Sequence, residues 1–254
     1  MTNKTVLISG ATAGIGEACA HKFASKGCDV IITGRRKERL DKLKVQLEQN
    51  YSVSVFSLPF DIRKQQDVAA AVASIPENFR DIDVLVNNAG LAAGVTSIDN
   101  GLLSDWEVMI DTNIKGLLYL SKEIIEIMKI NSKGHIINIG SIAGKMTYPK
   151  GNVYCATKSA VQAITEGMRI DLLPYMIKVT QVAPGAVDTE FSLVRLKGDK
   201  EEASKVYKGY QPLLAQDIAD VVYYTSSLPA HVNINDVLVM PTAQANAYNY
   251  NKKE

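Results

Sequence analysis

Short runs of consecutive apolar residues alternate along this chain with longer stretches in which apolar residues recur every three or four positions. The runs Val6–Ser9, Val30–Thr33, Val53–Leu58, Val84–Asn87, His135–Ile139, Val179–Ala183 and Val237–Met240 predict β-strands. Most are apolar without interruption, as strands buried on both faces of a parallel sheet must be. Between them, Ile15–Lys26, Lys37–Gln49, Lys64–Ser74, Leu103–Lys129, Val153–Leu173 and Gln216–Ser227 carry the helical period. Pro174 marks the end of the fifth, because its ring cannot continue a helix. Such alternation predicts an α/β fold, a doubly wound Rossmann-type parallel sheet of about seven strands with helices on both faces and right-handed crossovers. With no repeat, low-complexity block or linker, residues 1–254 read as a single domain.

Two segments depart from the pattern. Residues 188–210 are polar and charged and follow a strand end, which suits a mobile lid over a site or a plain surface excursion. The tail from Gln244 (244–254, QANAYNYNKKE) is polar, and its extreme end is expected to pack poorly.

Composition narrows the function classes. The 28 basic and 27 acidic residues leave a formal net charge of +1, which offers no general attraction to nucleic acid or an anionic membrane. No apolar run approaches the roughly 20 residues that span a bilayer, and the N-terminus carries no targeting core. The three cysteines, Cys19, Cys28 and Cys155, have no ligand spacing, so no metal site is expected and a reducing cytoplasm fits.

Candidate chemistry begins at the first strand. The loop Gly10-Ala-Thr12-Ala-Gly14-Ile15-Gly16 lies between a strand and a helix, the context of a phosphate-binding turn. Its spacing is G-x3-G-x-G. At the end of the second strand, where an NAD site offers an acid to the ribose, stand Arg35 and Arg36. A guanidinium matches a 2′-phosphate in charge and shape, so NADP is the expected cofactor. Asp61 could accept from the adenine amino group, with Ile62 on the ring, or Asp61 could cap the next helix. Asn88, Ala89 and Gly90 place small residues at the fourth strand end, where a cofactor could approach closely.

Tyr154 and Lys158 share a helix face, with Ser141 just past a strand end upstream. A phenol beside an ammonium is a tunable proton donor. With GATAGIG, NNAG, Asn113 in DTNIKG, Ser141 in NIGSIAG, YCATK and Pro184-Gly185 in APGAVDT, the chain resembles the short-chain dehydrogenase/reductase family. The resemblance covers residues from about 5 to 240, with Ser9 where the family often has Thr and Gly140 where it often has Ser. It implies a nicotinamide-dependent oxidoreductase in which Tyr154 is the general acid or base. Lys158 would favour its phenolate and hold the cofactor ribose, Ser141 would orient the substrate oxygen, and Asn113 would anchor a water relay. It also implies that Pro184, Gly185, Val187 and Thr189 hold the nicotinamide, although Thr189 could instead cap a helix. By the same analogy the protein is expected to be a homotetramer.

The stretches TEFSLVRLKGDKEEASKVY and PAHVNINDVLVMPTAQ are similar to the NADP-dependent 3-hydroxy acid dehydrogenases acting on serine and allo-threonine. That similarity implies a small-molecule substrate with a carboxylate. Arg195 is the candidate clamp, or an exposed arginine of a charged segment, and Met146 and Tyr148 could line the same pocket. Two other readings share the motifs: a broad carbonyl or 3-oxoacyl thioester reductase, and a catalytically silent NADP-binding sensor.

Overall fold

The computed structural model describes residues 4–253. In chain order it runs β1 (Thr5–Ile8), α1 (Gly14–Ala24), β2 (Asp29–Gly34), α2 (Lys37–Tyr51), β3 (Val55–Pro59), α3 (Gln65–Ala73), β4 (Ile82–Asn87), α4 (Leu103–Ile110), α5 (Leu117–Asn131), β5 (His135–Ile139), α6 (Asn152–Asp171), β6 (Lys178–Pro184), β7 (Val187–Asp188), α7 (Phe191–Arg195), α8 (Lys200–Lys205), β8 (Leu213–Leu214), α9 (Ala215–Ser227) and β9 (Asp236–Val239). Among the described residues, seven strands form one parallel sheet in the order β3-β2-β1-β4-β5-β6-β9. These are the seven strands that the apolar runs predict.

Alternation along each strand feeds two cores. Val6 and Ile8 of β1 face α1, α2 and α9, with Phe23, Leu40, Leu47 and Val222, whereas Leu7 faces α3, α5 and α6, with Val72, Ile124 and Met128. Both faces are covered, which is why the strands lack a polar face. The strand order reverses between β1 and β4, so the chain opens a crevice at their C-terminal ends. The glycine loop after β1 and Asn88–Gly90 after β4 meet at that crevice.

Several elements differ from the sequence pattern. The helix expected over 103–129 is interrupted by a π-helical turn at Asp111–Gly116, which separates α4 from α5. Segment 188–210 contains α7 and α8, and β7 pairs with β8 at its far end. The tail does not hang loose at its described end. Its Gln244 bridges Tyr250, Asn251 N donates to Ala243 O at 2.8 Å, and Lys253 N donates to Gly209 O at 2.7 Å. Tyr250 stacks near Tyr210 at 5.1 Å between ring centres, so aromatic residues in an otherwise polar run supply the packing that composition conceals. Among the described residues no helix is long and apolar enough to cross a membrane.

Candidate active site

The crevice is a cavity of about 800 Å³, running from Arg35 and Asp61 at one end to Tyr148, Tyr154 and Arg195 at the other. That volume lies toward the upper end of the range of ligand pockets, with room for a dinucleotide and a small substrate.

The turn after β1 is shaped by close approach. Gly10 and Gly14 have φ of +69° and +57°, conformations that glycine adopts without strain. A Cβ on Gly10 would stand 2.9 Å from Ala89 Cα, and one on Gly16 would collide with Gly10 O and the Asn88 amide. Asn88 Nδ2 donates to Ser9 O at 2.9 Å and Gly10 O at 3.2 Å, tying the β4 loop to the glycine loop. Ser9 answers from the other side, its hydroxyl accepting from Asn88 N and Ala89 N, each at 3.0 Å. The hydroxyl that the family often takes from Thr is therefore present and engaged. Gly10, Thr12, Gly14 and Ile15 line the cavity, whereas Gly16 supports the turn from below.

At the end of the cavity beside β2, Arg35, Arg36 and Ile62 face it. Arg36 is already engaged, binding Thr12 Oγ1 through Nε at 3.1 Å and Nη2 at 2.7 Å, and Glu190 through Nη1 at 3.0 Å. Asp61 also lines the wall, but Arg63 grips both of its oxygens and holds its carboxyl below the usual range. Asp61 does not cap α3, whose N-cap is Lys64. The cradle a side chain would fill, together with this cationic end, fits a dinucleotide bearing an extra phosphate.

At the other end β5 delivers Ser141, and the first turns of α6 deliver Tyr154 and Lys158. Lys158 is 7% exposed, and its Nζ donates to Ile139 O at 2.8 Å. Burial pushes its ammonium down to about 8. Tyr154 goes the other way. Desolvation and the neighbouring Tyr148 raise its phenol well above the usual tyrosine range, and the Ser141 hydroxyl only partly offsets them. Desolvation within the protein alone therefore favours the protonated phenol.

Asn113 does not line the cavity; it lies behind Lys158, 2% exposed, in the π-helical turn. Its Oδ1 accepts from Leu91 N at 2.8 Å, and its Nδ2 donates to Leu91 O at 2.8 Å and Thr157 Oγ1 at 3.0 Å. It therefore joins the chain after Gly90 to α6. Pro184, Gly185 and Val187 line the cavity at the end of β6, as does Thr189, whose hydroxyl also accepts from Phe191 N at 3.2 Å at the entrance of α7.

Among the expected substrate residues, Tyr148 and Arg195 are brought together. The Arg195 guanidinium stands 5.4 Å from the centre of the Tyr148 ring, and its buried Nε has no hydrogen-bond partner. Met146 is a correction. It is 38% exposed and does not reach the cavity, because the turn at Ile142–Gly144 carries the chain outward before Tyr148 returns. Cys155, beside Tyr154, is fully buried, and burial pushes its thiol up.

The cavity also gathers residues that sequence reasoning missed. Phe191 packs on Tyr154 at 5.6 Å between ring centres, and Tyr207 OH donates to Val187 O at 2.6 Å. Gln244 Oε1 accepts from Ala186 N at 2.8 Å, bringing the tail against the loop after β6. No local pattern flags these side chains; they sit in polar segments and arrive by docking.

Comparison with known proteins agrees with this geometry. The chain is 47% identical over 241 residues to an NADP-dependent 3-hydroxy acid dehydrogenase of Salmonella typhi, covering 94% of this chain and 96% of that protein. It is 42% identical over 241 residues to a serine 3-dehydrogenase of Agrobacterium fabrum, covering 95% of each. The closed form of a serine dehydrogenase complexed with NADP+ superposes with a TM-score of 0.92 at 43% identity, over 98% of this chain and 100% of that one. Residues 4–198 match the short chain dehydrogenase family, and with a glycine turn under the crevice and Ser141, Tyr154 and Lys158 at its far end, the chain belongs to that family.

Proposed function

We propose that this protein is an NADP-dependent dehydrogenase of 3-hydroxy acids, interconverting an acid of the serine, allo-threonine or 3-hydroxypropionate type with its 3-oxo acid or semialdehyde. The observation that carries the substrate class is the orphaned, buried Nε of Arg195 in the same cavity as Tyr154 and Ser141. An unpaired buried donor is costly unless a ligand completes it, and a carboxylate is the group a guanidinium completes best. The charge balance of the wall supports an anion. Its acidic side chains Asp61, Glu190 and Glu202 are paired with Arg63, Arg36 and Lys205. Arg195 and Lys252 line it without an ion-pair partner among the described residues.

A nicotinamide held in this cleft would supply or accept the hydride. Tyr154, whose buried surroundings favour the phenol, donates its proton to the substrate oxygen in reduction and, as the phenolate, accepts it back in oxidation. Ser141 orients that oxygen by hydrogen bonding. Lys158 holds the cofactor ribose and places a positive charge near the phenol as it ionises. Asn113 fixes the backbone behind them and anchors a water relay. Arg35 and Arg36 receive the 2′-phosphate, and Pro184, Gly185, Val187 and Thr189 seat the nicotinamide. We also infer a homotetramer, supported by apolar side chains exposed on consecutive helices, among them Leu103, Ile110 and Leu118. A reducing, cytoplasmic setting is supported by three buried free thiols.

Steady-state oxidation of L-serine, L-allo-threonine and 3-hydroxypropionate, each with NADP and with NAD, tests this reading. Turnover should depend on NADP and fall by about 10²–10⁴ in Tyr154→Phe. Arg195→Met should raise KM for the acids by roughly 30-fold or more while leaving a neutral ketone much less affected. Turnover of neutral ketones or thioesters alone would favour the broad reductase. NADP binding with no turnover of any panel would favour the sensor.

A further inference from the structure

Glu190 opens the segment that carries Arg195, and arginines from the opposite side of the cleft grip its carboxylate. Arg36 Nη1 donates to one oxygen at 3.0 Å, and Arg39 Nη1 reaches both, at 2.8 and 3.0 Å. These partners lie 154 and 151 residues away in sequence, so only docking of the segment brings them together. Because Arg36 also binds Thr12, one guanidinium joins the glycine loop, the entrance to α2 and the base of segment 188–210. Just beneath, Thr189 Cβ lies 3.2 Å from where a Cβ on Gly14 would stand. The base of segment 188–210 therefore rests on the glycine turn. Thr12, Arg36 and Glu190 line the cavity, whereas Arg39 does not. From Glu190 the chain runs straight into α7, whose Phe191 packs on Tyr154 and whose last residue is Arg195.

We propose that Glu190 and Arg39 are positioning residues for the cofactor: with Arg36 they strap the lid across the phosphate-binding turn and set the rate at which a bound dinucleotide leaves. The proposal rests on the dinucleotide reading of the cleft given above. An isolated exposed ion pair contributes little, but here two cations share one carboxylate and a third contact to Thr12 orients one of them. A strap acts on whatever dinucleotide lies beneath it. If Glu190 merely competed with the 2′-phosphate for Arg36, its loss would slow the release of NADPH and leave NADH untouched.

The experiment is stopped-flow release of NADPH and of NADH, followed by nicotinamide fluorescence, from wild type, Glu190→Gln and Arg39→Met at low and high salt. Both variants should release both dinucleotides faster, by roughly three- to tenfold. Release from wild type should quicken with salt, with a smaller response in the variants. Arg39→Met carries particular weight, because Arg39 lies outside the cavity wall and acts through Glu190 and a longer contact to Thr12 O at 3.4 Å. Unaltered release in Arg39→Met, or slower NADPH release with unchanged NADH release in Glu190→Gln, would overturn the strap. Failure of wild type to bind either dinucleotide would overturn the cofactor reading itself, an outcome distinct from binding with unaltered release.

Discussion

Tyr154 and Lys158 lie one helical turn apart on α6, and burial acts on them in opposite senses. It disfavours whichever form is charged, so the phenol is pushed up and the ammonium down to about 8. At neutral pH this leaves a phenol that can donate and a lysine that is still largely cationic. Carbonyl reduction should therefore keep its kcat/KM up to about pH 8 and decline above it as Lys158 loses its proton. In Lys158→Arg that decline should move to higher pH, since a guanidinium does not deprotonate in this range. A flat profile from pH 7 to 9.5 in wild type would show that Lys158 does not govern the step. Oxidation, which needs the phenolate, should instead rise with pH over the same interval.

The π-helical turn at Asp111–Gly116 shows why an element can matter more than its helical period suggests. The heptad-like spacing of Leu103–Lys129 is what a continuous helix would display, and the wider turn is accommodated without breaking the chain's course. Such turns recur at functional sites, and this one presents Asn113 to Leu91 and Thr157. Asn113→Ala would remove the side-chain partner of the half-buried Leu91 N and Leu91 O and of the buried Thr157 Oγ1, which keeps its own bond to Tyr154 O at 2.8 Å. A loss of roughly 2–4 kcal/mol in unfolding free energy is expected, read by urea denaturation, together with a fall in kcat. A stability change below about 1 kcal/mol would mean that water replaces the amide with little penalty.

The whole molecule is a sheet buried on both faces, and its depth has a consequence for acid stability. His135, on β5 in the interior of the sheet, is 3% exposed, with Nε2 2.7 Å from Thr180 Oγ1. Burial, aided by Lys178 and Lys4, pushes its imidazole down to about 3. The unfolded chain takes up a proton near pH 6.5, and the folded one does not until about 3. This contribution to stability is present above pH 6.5 and is lost as pH falls toward 3, amounting to roughly 2 kcal/mol by pH 5. Urea midpoints measured from pH 7.5 to 5 should fall accordingly. His135→Gln should flatten the slope, and an equally steep slope in that variant would assign it to other groups.

The sequence by itself determined the seven strands, the position of the glycine turn and the pairing of Tyr154 with Lys158. Each follows from neighbours in the chain: period two or apolar continuity for a strand, missing Cβ atoms for a tight turn, four residues for one face of a helix. That Arg35 and Arg36 line the cavity was legible for the same reason, since a strand end and its next two residues are covalently adjacent. Only the tertiary structure decided how the polar segments 188–210 and 244–253 would dock. There Glu190 meets Arg36 and Arg39, Gln244 meets the loop after β6, and Met146 is turned away. Polar segments have no hydrophobic period to announce their orientation, and a charged residue finds its partner through folding rather than through spacing. The protonation of Tyr154 belongs to the same category. Its environment is assembled from α6, β5 and α7, and desolvation is a property of the assembled site rather than of any one stretch of sequence.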